Sequence, residues 1–501
     1  MRVCLLNDSF PPVIDGVANV VLNYARIMQT ENLADVMVAT PKYPNTDYSN
    51  YPYKVIPYSS FDTTKIVKGY RAGNPLDLRE LNEMADFAPD IIHTHCPVAS
   101  TYVARMLRAR TDAPMIFTYH TKFDEDIARA VKSEFLQKET VKILVNNIEA
   151  CDEVWVVSQG AGENMKSLGY EGDYRVVSNG VDFAKGRVKE EDVLKVIEGY
   201  DLPKDVPVFL FVGRIIAYKG IPVILDAMKI LSEKGQDYRM VFVGSGPDLE
   251  IFKEKARELG LYENPDTNHP GKCYFTGPIY DRDALRAWNT RADLFLFPST
   301  YDTNGIVVRE AAACGLASVL INNSCAAEGI TNGRNGFIIE KTPEDMAGLL
   351  LELSKDLSYV HDVGQHAMDE IYISWEDTVH LAHERYGEII DLKKSGKIPP
   401  RNHMAADALV NSMMQFVSDT NHIFDNSRDF YEGMKDNVQH SIDDMRENVQ
   451  QSFDDMKENV QQSIDDMKEN VQHSIDDMKE NVQQGIDDIK NKAKEVFYGR
   501  D

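Results

Sequence analysis

The chain has 501 residues, and its 43% hydrophobic and 27% charged content supports two or three globular domains and excludes a wholly disordered or collagen-like polymer. Asp and Glu number 80 against 54 Lys and Arg, and the resulting net charge of −26 repels phosphate backbones, so we expect no nucleic-acid partner. Six scattered cysteines without a CxxC pair, and no apolar run near the ~20 residues of a spanning helix, predict a cytoplasmic protein with buried thiols.

Short apolar runs alternate with amphipathic stretches in the first part of the chain. The runs include RVCLL, ADVMVAT, DIIHTH and PMIFTYH, and helical patterns such as Val17–Met28 separate them. Continuous apolar runs bounded by Gly, Pro and Asp are typical of a parallel sheet that helices cover on both faces. We therefore predict an α/β domain over 1–195.

The same alternation restarts after a polar linker, with VFLFVGR, YRMVFVGSG, CYFTG and ADLFLFPS over 196–375. Two such blocks predict two Rossmann-like domains that face each other across a cleft, which is the expected ligand site. A helical pattern over 376–392 is expected to return towards the first domain. The Lys-, Gly- and Pro-rich stretch that follows indicates a linker over 393–425.

The last part of the chain is a repeat. Six 11-residue copies of a pattern close to NVQQSIDDMKE fill 426–491, and a basic and aromatic end follows over 492–501. Their apolar positions form one narrow stripe on a helix of about 3.67 residues per turn. Such a stripe needs a partner surface, and we favour self-association into a homo-oligomer. Peripheral contact with the inner membrane face and a solvated acidic helix are the alternatives.

The strongest local signal is STYDTNGIVVREAAACG, which follows the apolar run ADLFLFP. A strand, a Gly-containing loop and a helix in that order direct the free amides of Asn304, Gly305 and Ile306 at a ligand in the cleft. Asp302 precedes these residues and Glu310 lies within the helix, so their carboxylates can reach different hydroxyls of one extended ligand. An ordinary capped turn between strand and helix is the alternative.

Two cations follow the first strand of the second domain. In FVGRIIAYKG, Arg214 and Lys219 suit a diphosphate whose negative charge grows as its bond to a sugar breaks, and surface ion pairs are the alternative. Gly246 in VFVGSGP permits a tight turn. Because Leu249 stands where a dinucleotide fingerprint has its last glycine, this segment does not indicate NAD.

The first domain contributes Gly16 and His120 as candidates. NDSFPPVIDGVANVV places Gly16 in the first strand-to-helix loop, where a missing Cβ lets a large anionic group approach the backbone. His120 ends IFTYH at the carboxyl edge of a strand and is the best polar contact for a substrate. His93 and His95 lack a third ligand at a suitable spacing, so we predict no metal site.

Together these segments resemble the retaining GT-B glycosyltransferases of family 4. The resemblance covers about residues 1–391 and rests on PPVIDGVANVV, DIIHTH, FTYHT, VVSNGVD, FVGRIIAYKG, VFVGSGP, YFTG, the paired-acid loop and SWE. TYHTKFDEDI and STYDTNGIVVREA are most similar to the diacylglycerol glucosyltransferases. The resemblance implies transfer of a hexose, with glucose and a UDP-linked donor expected first, to an acceptor hydroxyl such as that of diacylglycerol. It implies no metal and no cofactor besides the nucleotide sugar.

The resemblance also implies roles for single residues. Gly16 would contact the diphosphate, and His120 would hydrogen-bond the transferred sugar. Arg214 and Lys219 would neutralise the leaving diphosphate.

On the second domain, the resemblance assigns the ribose hydroxyls to Glu310 and the nucleotide base to Gly246. The sugar and phosphate oxygens would be held by Asp302 together with the amides of 304–306. The chain departs from the family at Asp302, where Glu is usual, and at Thr303-Asn304, where Gly-Phe is usual. These departures leave the donor sugar open.

Charge does not support a lipid acceptor, because setting aside the 19 acids and 10 bases of 426–501 still leaves −17 on the rest of the chain. Three alternatives to a lipid glucosyltransferase stay open. They are a transferase of another glycan acceptor, a catalytically silent module that binds sugar nucleotides, and a scaffold whose repeat tail is the main element.

Overall fold

The described part of the chain comprises residues 1–13, 15–62, 70–74, 78–124, 127, 132–262 and 271–398 of a computed structural model. These residues belong to one unit, Met1–Gln415, and the predicted repeats at 426–491 lie outside the described residues, as does the end at 492–501. No disulfide joins the six cysteines, all of which are described, and four of them are buried. None of the described helices has the length and apolar content needed to cross a membrane.

The first domain is built on the strands β1 (Arg2–Leu6), β2 (Asp35–Pro41), β3 (Lys54–Tyr58), β4 (Ser60–Asp62), β5 (Arg71–Gly73), β6 (Ile91–Thr94), β7 (Met115–Tyr119), β8 (Glu153–Val156) and β9 (Arg175–Val176). Seven of them form a parallel sheet in the order β3-β2-β1-β6-β7-β8-β9, and β4 and β5 form a separate antiparallel pair. β6 and β7 are buried at every position, which explains why apolar residues occupy adjacent positions in both strands rather than alternating with exposed polar ones.

Helices cover both faces of this sheet. They are α1 (Gly16–Thr30), α2 (Leu78–Asp86), α3 (Ala99–Thr111), α4 (Glu134–Glu149) and α5 (Gln159–Ser167). Adjacent residues of one strand enter different clusters of buried side chains, Ile91 with Val3 and Ile92 with Cys4. The predicted two-sided burial of a parallel sheet is therefore confirmed for this domain.

The second domain contains β10 (Val208–Val212), β11 (Tyr238–Val243), β12 (Gly271–Gly277), β13 (Leu294–Phe297), β14 (Ala317–Ile321) and β15 (Phe337–Ile339). All are parallel, in the order β12-β11-β10-β13-β14-β15, which is the strand order of the Rossmann fold. Its helices are α6 (Glu190–Val196), α7 (Ile221–Glu233), α8 (Leu249–Glu258), α9 (Arg282–Arg291), α10 (Ile306–Ala313), α11 (Pro343–Leu353) and α12 (Leu357–Glu370). The predicted pair of α/β domains with parallel sheets is thus confirmed.

The strand order reverses between β1 and β6 in the first sheet and between β10 and β13 in the second. At such a switch point the connections leave towards opposite faces, and a crevice opens beyond the carboxyl ends of the strands. The loops that follow β1, β7, β10 and β13 carry most of the candidate residues, so the topology brings them to these two crevices.

The chain passes between the domains twice, and the two crossing segments meet where Val181 bridges Ser374. Gly180 is required there, because a Cβ would lie 2.5 Å from the Ser374 carbonyl oxygen and the Trp375 nitrogen. A last helix, α13 (Trp375–Lys394), begins at this point and packs on the first domain. Its Tyr386 ring stacks on Trp155 of β8.

Candidate active site

A cavity of about 370 Å³ lies between the two domains and is lined by residues from both. The first domain contributes residues that follow β1 and β7, among them Gly16 and His120. The second contributes Lys219 and the segment 302–307. The predicted cleft therefore exists at the two crevices, and seven of the ten predicted site residues border it.

The beginning of α10 forms one wall of the cavity. Gly305 precedes the helix with a φ of 61°, and a Cβ there would lie 3.0 Å from the Ala326 Cα. Residues 304–307 line the cavity, and their backbone amides donate no hydrogen bond to any residue that the structure describes. Free amides at a helix N-terminus, where the helix dipole is positive, favour an anionic or oxygen-rich ligand.

Lys219 and Asp302 form an ion pair in this wall, with Nζ 2.7 Å from both carboxylate oxygens. Both side chains are largely buried, 17% and 21% exposed, and the ammonium also lies 5.3 Å from the centre of the Phe297 ring. Among the described residues that border the cavity, Lys219 is the only Lys or Arg. A phosphate bound here would compete with Asp302 for this cation.

Arg214 and Gly246 do not line the cavity. Arg214 is exposed and makes no hydrogen bond or ion pair with any described residue, although its neighbour Gly213 does reach the cavity. Gly246 serves backbone packing, since a Cβ would lie 2.2 Å from the Ile215 carbonyl oxygen. The loop after β11 can therefore nest on the loop after β10, where the Ile215 amide donates to Ser245 at 2.9 Å.

Glu310 lies within α10, only 8% exposed, and is not part of the cavity wall. Its carboxylate accepts a hydrogen bond of 2.5 Å from the Arg282 guanidinium, which also lies 3.7 Å from Asp182. Burial raises the pKa of Glu310, and the charge of Arg282 opposes that rise only in part. A buried acid with a single cation beside it can exchange that partner for a hydroxyl of a ligand.

We expect Glu310→Gln to raise the free energy of unfolding near neutral pH. Because the folded-state pKa is raised, this residue's favourable contribution is complete below its unfolded pKa and is lost as pH rises through the folded pKa. Urea unfolding of both proteins between pH ~4 and ~8 measures the effect, and the two stabilities should converge at acid pH.

Glu370→Gln is the matched control, for which the expected change in the free energy of unfolding has the opposite sign. A hydrogen bond from Arg334 lowers the pKa of Glu370, so its contribution is present above its unfolded pKa and is lost as pH falls. This variant should be less stable than the parent near neutral pH. If Glu310→Gln and Glu370→Gln were both less stable than the parent near neutral pH, the raised pKa of Glu310 would be contradicted.

The first helix of the chain approaches the cavity with its end already capped. Asp15 Oδ1 accepts hydrogen bonds from the amides of Val17 and Ala18 at 2.9 and 2.7 Å, and Oδ2 accepts one from the Tyr70 hydroxyl at 2.7 Å. The sequence predicts that an anionic group approaches the backbone here, but such a group would meet the Asp15 carboxylate. Gly16 itself is open, since no atom lies within 4 Å of the position that a Cβ would take. Asp15 was not singled out from the sequence, although an Asp directly before a helix is a common capping signal.

His120 follows β7 and borders the cavity with 8% of its surface exposed. Its Nε2 lies 3.0 Å from His95 Nδ1, and the two rings stack. Burial lowers the pKa of His120 to about 3, and the nearby Asp15 carboxylate opposes this only weakly, so the ring is neutral at physiological pH. His93 lies behind, between the Tyr386 hydroxyl and Thr118 Oγ1.

Side-chain contacts hold the two domains together beside the cavity. The Glu328 carboxylate of the second domain accepts hydrogen bonds of 2.6 Å from the amides of Gln159 and Gly160, at the N-terminus of α5 in the first. Asn304 donates to the Val157 carbonyl oxygen at 2.9 Å, and Arg309 donates to Ser178 Oγ at 3.1 Å. No sequence pattern indicates the Glu328 contact, because its partners are more than a hundred residues away.

Removing the Glu328 carboxylate should favour separation of the domains. We expect Glu328→Ala to weaken binding of a cavity ligand about 10-fold, since two charge-assisted hydrogen bonds and a helix-dipole contact are lost. Small-angle scattering should show a larger radius of gyration. Glu340→Ala is the control, because Glu340 accepts a hydrogen bond from Asn322 within the second domain. An equal effect of both substitutions would show that Glu328 does not hold the domains together.

Two Rossmann-like domains with a cavity between their switch points are the architecture of the GT-B transferases. The model of Glycosyltransferase Family 4 matches residues 14–185, and that of Glycosyl transferases group 1 matches residues 193–369. The chain therefore belongs to the GT-B glycosyltransferases, with a family 4 domain followed by a group 1 domain, and it is a hexosyltransferase.

The chain is similar to curated relatives in sequence and to solved structures in fold. The alpha-monoglucosyldiacylglycerol synthase of Streptococcus pneumoniae is 24% identical over 397 residues, covering 78% of this chain and 86% of the relative. The sulfoquinovosyl transferase of Arabidopsis thaliana is 26% identical over 417 residues, covering 79% of this chain and 76% of the relative. Anabaena HepE in complex with UDP aligns with a TM-score of 0.61 at 16% identity, covering 78% of this chain and all of that one.

Proposed function

We propose that this enzyme transfers glucose from a UDP-linked donor to the hydroxyl of a diacylglycerol-type lipid, with retention at the anomeric carbon. The observation that carries the proposal is the set of free amides at 304–307, in residues that line the same cavity as Lys219 and His120. Relatives named alpha-monoglucosyldiacylglycerol synthase in Streptococcus pneumoniae and Acholeplasma laidlawii support the acceptor class. The HepE structures with UDP and UDP-glucose support the donor class.

In this proposal the diphosphate binds at the N-terminus of α10. The amides donate to its oxygens, and Lys219 leaves Asp302 to neutralise the charge that develops when the bond to the sugar breaks. Asp302 is then free to accept a hydrogen bond from a sugar hydroxyl. Arg214, exposed beside Gly213, folds onto the outer phosphate when the donor arrives.

The hexose lies towards the first domain, beside His120. A neutral imidazole hydrogen-bonds a sugar oxygen without attracting the leaving diphosphate. Departure and attack take place on the same face of the donor, so the protein supplies placement and charge stabilisation and forms no covalent intermediate. The contacts made by Glu328 and Asn304 keep the domains closed and exclude water that would hydrolyse the donor.

The activity test uses the full chain with a panel of nucleotide sugars and diacylglycerol in mixed micelles. We expect glycolipid formation with UDP-glucose and an α-linkage by NMR of the product. A β-linked product would contradict retention, and transfer only to a soluble or cell-wall glycan would contradict the lipid acceptor. Donor binding without turnover or hydrolysis would instead establish a silent binding module.

We also propose that the repeats at 426–491 associate, because their narrow apolar stripe requires a partner. Analytical ultracentrifugation of the full chain and of a chain ending at Pro400 measures this directly. The shorter chain should sediment as a monomer and the full chain as an oligomer. If both chains had the same state of association, the proposal would be wrong. If only the full chain floated with anionic liposomes, the repeats would instead contact a membrane.

A further inference from the structure

Three histidines lie in a row between α13 and the cavity. Ring centres are 4.1 Å apart for His93 and His95 and 5.3 Å apart for His95 and His120. His93 uses both ring nitrogens, on the Tyr386 hydroxyl and on Thr118. His120 borders the cavity, whereas His95 in the middle is 2% exposed and does not. Any effect of His95 on a ligand in the cavity must therefore pass through its neighbours.

His95 Nδ1 and His120 Nε2 are 3.0 Å apart and share one hydrogen bond. Burial lowers the pKa of both rings well below the ordinary value, so each carries a single proton. One ring donates and the other accepts, which leaves two possible tautomer pairs. The choice between them decides which nitrogen of His120 carries its proton.

The other nitrogen of His95 settles the choice. His95 Nε2 is buried and has no hydrogen-bond partner among the described residues. Either tautomer leaves this nitrogen unpaired, but a buried N–H without an acceptor is rarer in folded proteins than a buried acceptor without a donor. The proton of His95 therefore belongs on Nδ1, from which it donates to His120 Nε2.

The second nitrogen of His120 is the one that the cavity can reach. His120 Nδ1 has no partner in the described part of the chain, yet it is not sealed from solvent as His95 Nε2 is. The Asp15 carboxylate borders the same cavity and is near enough to favour positive charge on His120. A proton on His120 Nδ1 would therefore be available to a ligand in the cavity, whereas a proton on Nε2 would be directed at His95.

We propose that His95 is a positioning residue that fixes His120 as the Nδ1–H tautomer, so that the cavity offers its ligand an N–H donor and not a lone pair. The ligand atom beside His120 must then be a hydrogen-bond acceptor, such as a hydroxyl, ring or phosphoryl oxygen. That this ligand is a nucleotide sugar rests on the proposed function. The tautomer itself does not depend on it.

Long-range ¹H–¹⁵N correlation spectra of the full chain, labelled with ring-¹⁵N histidine, test the proposal without any ligand. The signals of His120 are identified by their loss in His120→Gln. We expect a protonated Nδ1 and an unprotonated Nε2. A protonated Nε2, or a mixture of the two tautomers, would overturn the proposal.

Two substitutions of His95 test its role. Asn places an amide N–H near the position of Nδ1, so His95→Asn should keep the tautomer of His120 and lose less than about 3-fold in kcat. His95→Leu removes the donor and should give a tautomer mixture and about a 10-fold lower kcat, the loss of one directed hydrogen bond, with little change in KM. An unchanged His120 spectrum in a folded His95→Leu protein would show that His95 does not set the tautomer.

The spectra also separate this proposal from the enzymatic one. If no nucleotide sugar is turned over, the tautomer of His120 is still measured in the wild-type protein. If glucose transfer is confirmed and His120 carries its proton on Nε2, the function stands and the role of His95 fails.

Discussion

Replacing Lys219 with methionine should lower kcat at saturating donor by about 10²-fold or more, the loss expected for one charge-stabilising group. Lys219 is the only Lys or Arg among the described residues of the cavity wall, and its ammonium is oriented by Asp302 and Phe297. Methionine keeps the volume of the side chain but leaves Asp302 without its cation. The negative charge that then faces the diphosphate adds to the loss. Steady-state kinetics with varied donor measures it.

Lys255→Met is the matched control, because Lys255 forms a surface ion pair with Asp226 at 2.7 Å in the same domain. It should leave turnover unchanged. Arg214→Ala tests the exposed cation and should also lower turnover by about 10²-fold if that side chain closes onto the phosphate. Unchanged turnover of Lys219→Met in a folded protein would place the diphosphate elsewhere.

Replacing Gly16 with leucine should weaken donor binding without harming the fold, with kcat/KM down by about 10²-fold or more. No described protein atom lies within 4 Å of the Cβ position, and Gly16 lines the cavity, so we expect a larger side chain there to occupy space that a ligand would use. Gly16→Ala should give a smaller loss and raise stability by about 0.5–1 kcal/mol, because Ala favours the helix. Calorimetric titration with UDP and thermal unfolding measure the two effects.

Gly348 provides the control for Gly16. It lies in α11, also has nothing within 4 Å of its Cβ position, and is exposed away from the cavity. Gly348→Leu should bind UDP as the parent does. Full UDP binding by a stable Gly16→Leu protein would show that the donor does not approach the first helix.

The general position of the site could be predicted because of a property of parallel sheets. Gly16, His120 and Asp302 each follow a buried apolar run, and the carboxyl ends of such strands meet at one edge of the sheet. A loop with Gly305 before a helix likewise predicts free amides, since the first turn of any helix leaves its N–H groups unpaired. These inferences need only the order of strand, loop and helix.

The direction of single side chains could not be predicted in this way. Arg214 and Lys219 occupy one short loop, yet the short helix at Ala217–Lys219 directs only the lysine towards the cavity. Glu310 sits one turn into α10 on the face that meets Arg282 rather than the cavity. Both outcomes depend on neighbours that are far away in the sequence.

Residue order alone was enough to establish two parallel α/β domains, the loops that carry the site and the family resemblance, because hydrophobic periodicity and turn residues act over a few neighbouring positions. Folding was needed to bring Lys219 to Asp302, Glu328 to the start of α5 and His95 to His120. These contacts join residues 25 to 169 positions apart, and their energies depend on burial and on distances of about 3 Å, which no local pattern encodes.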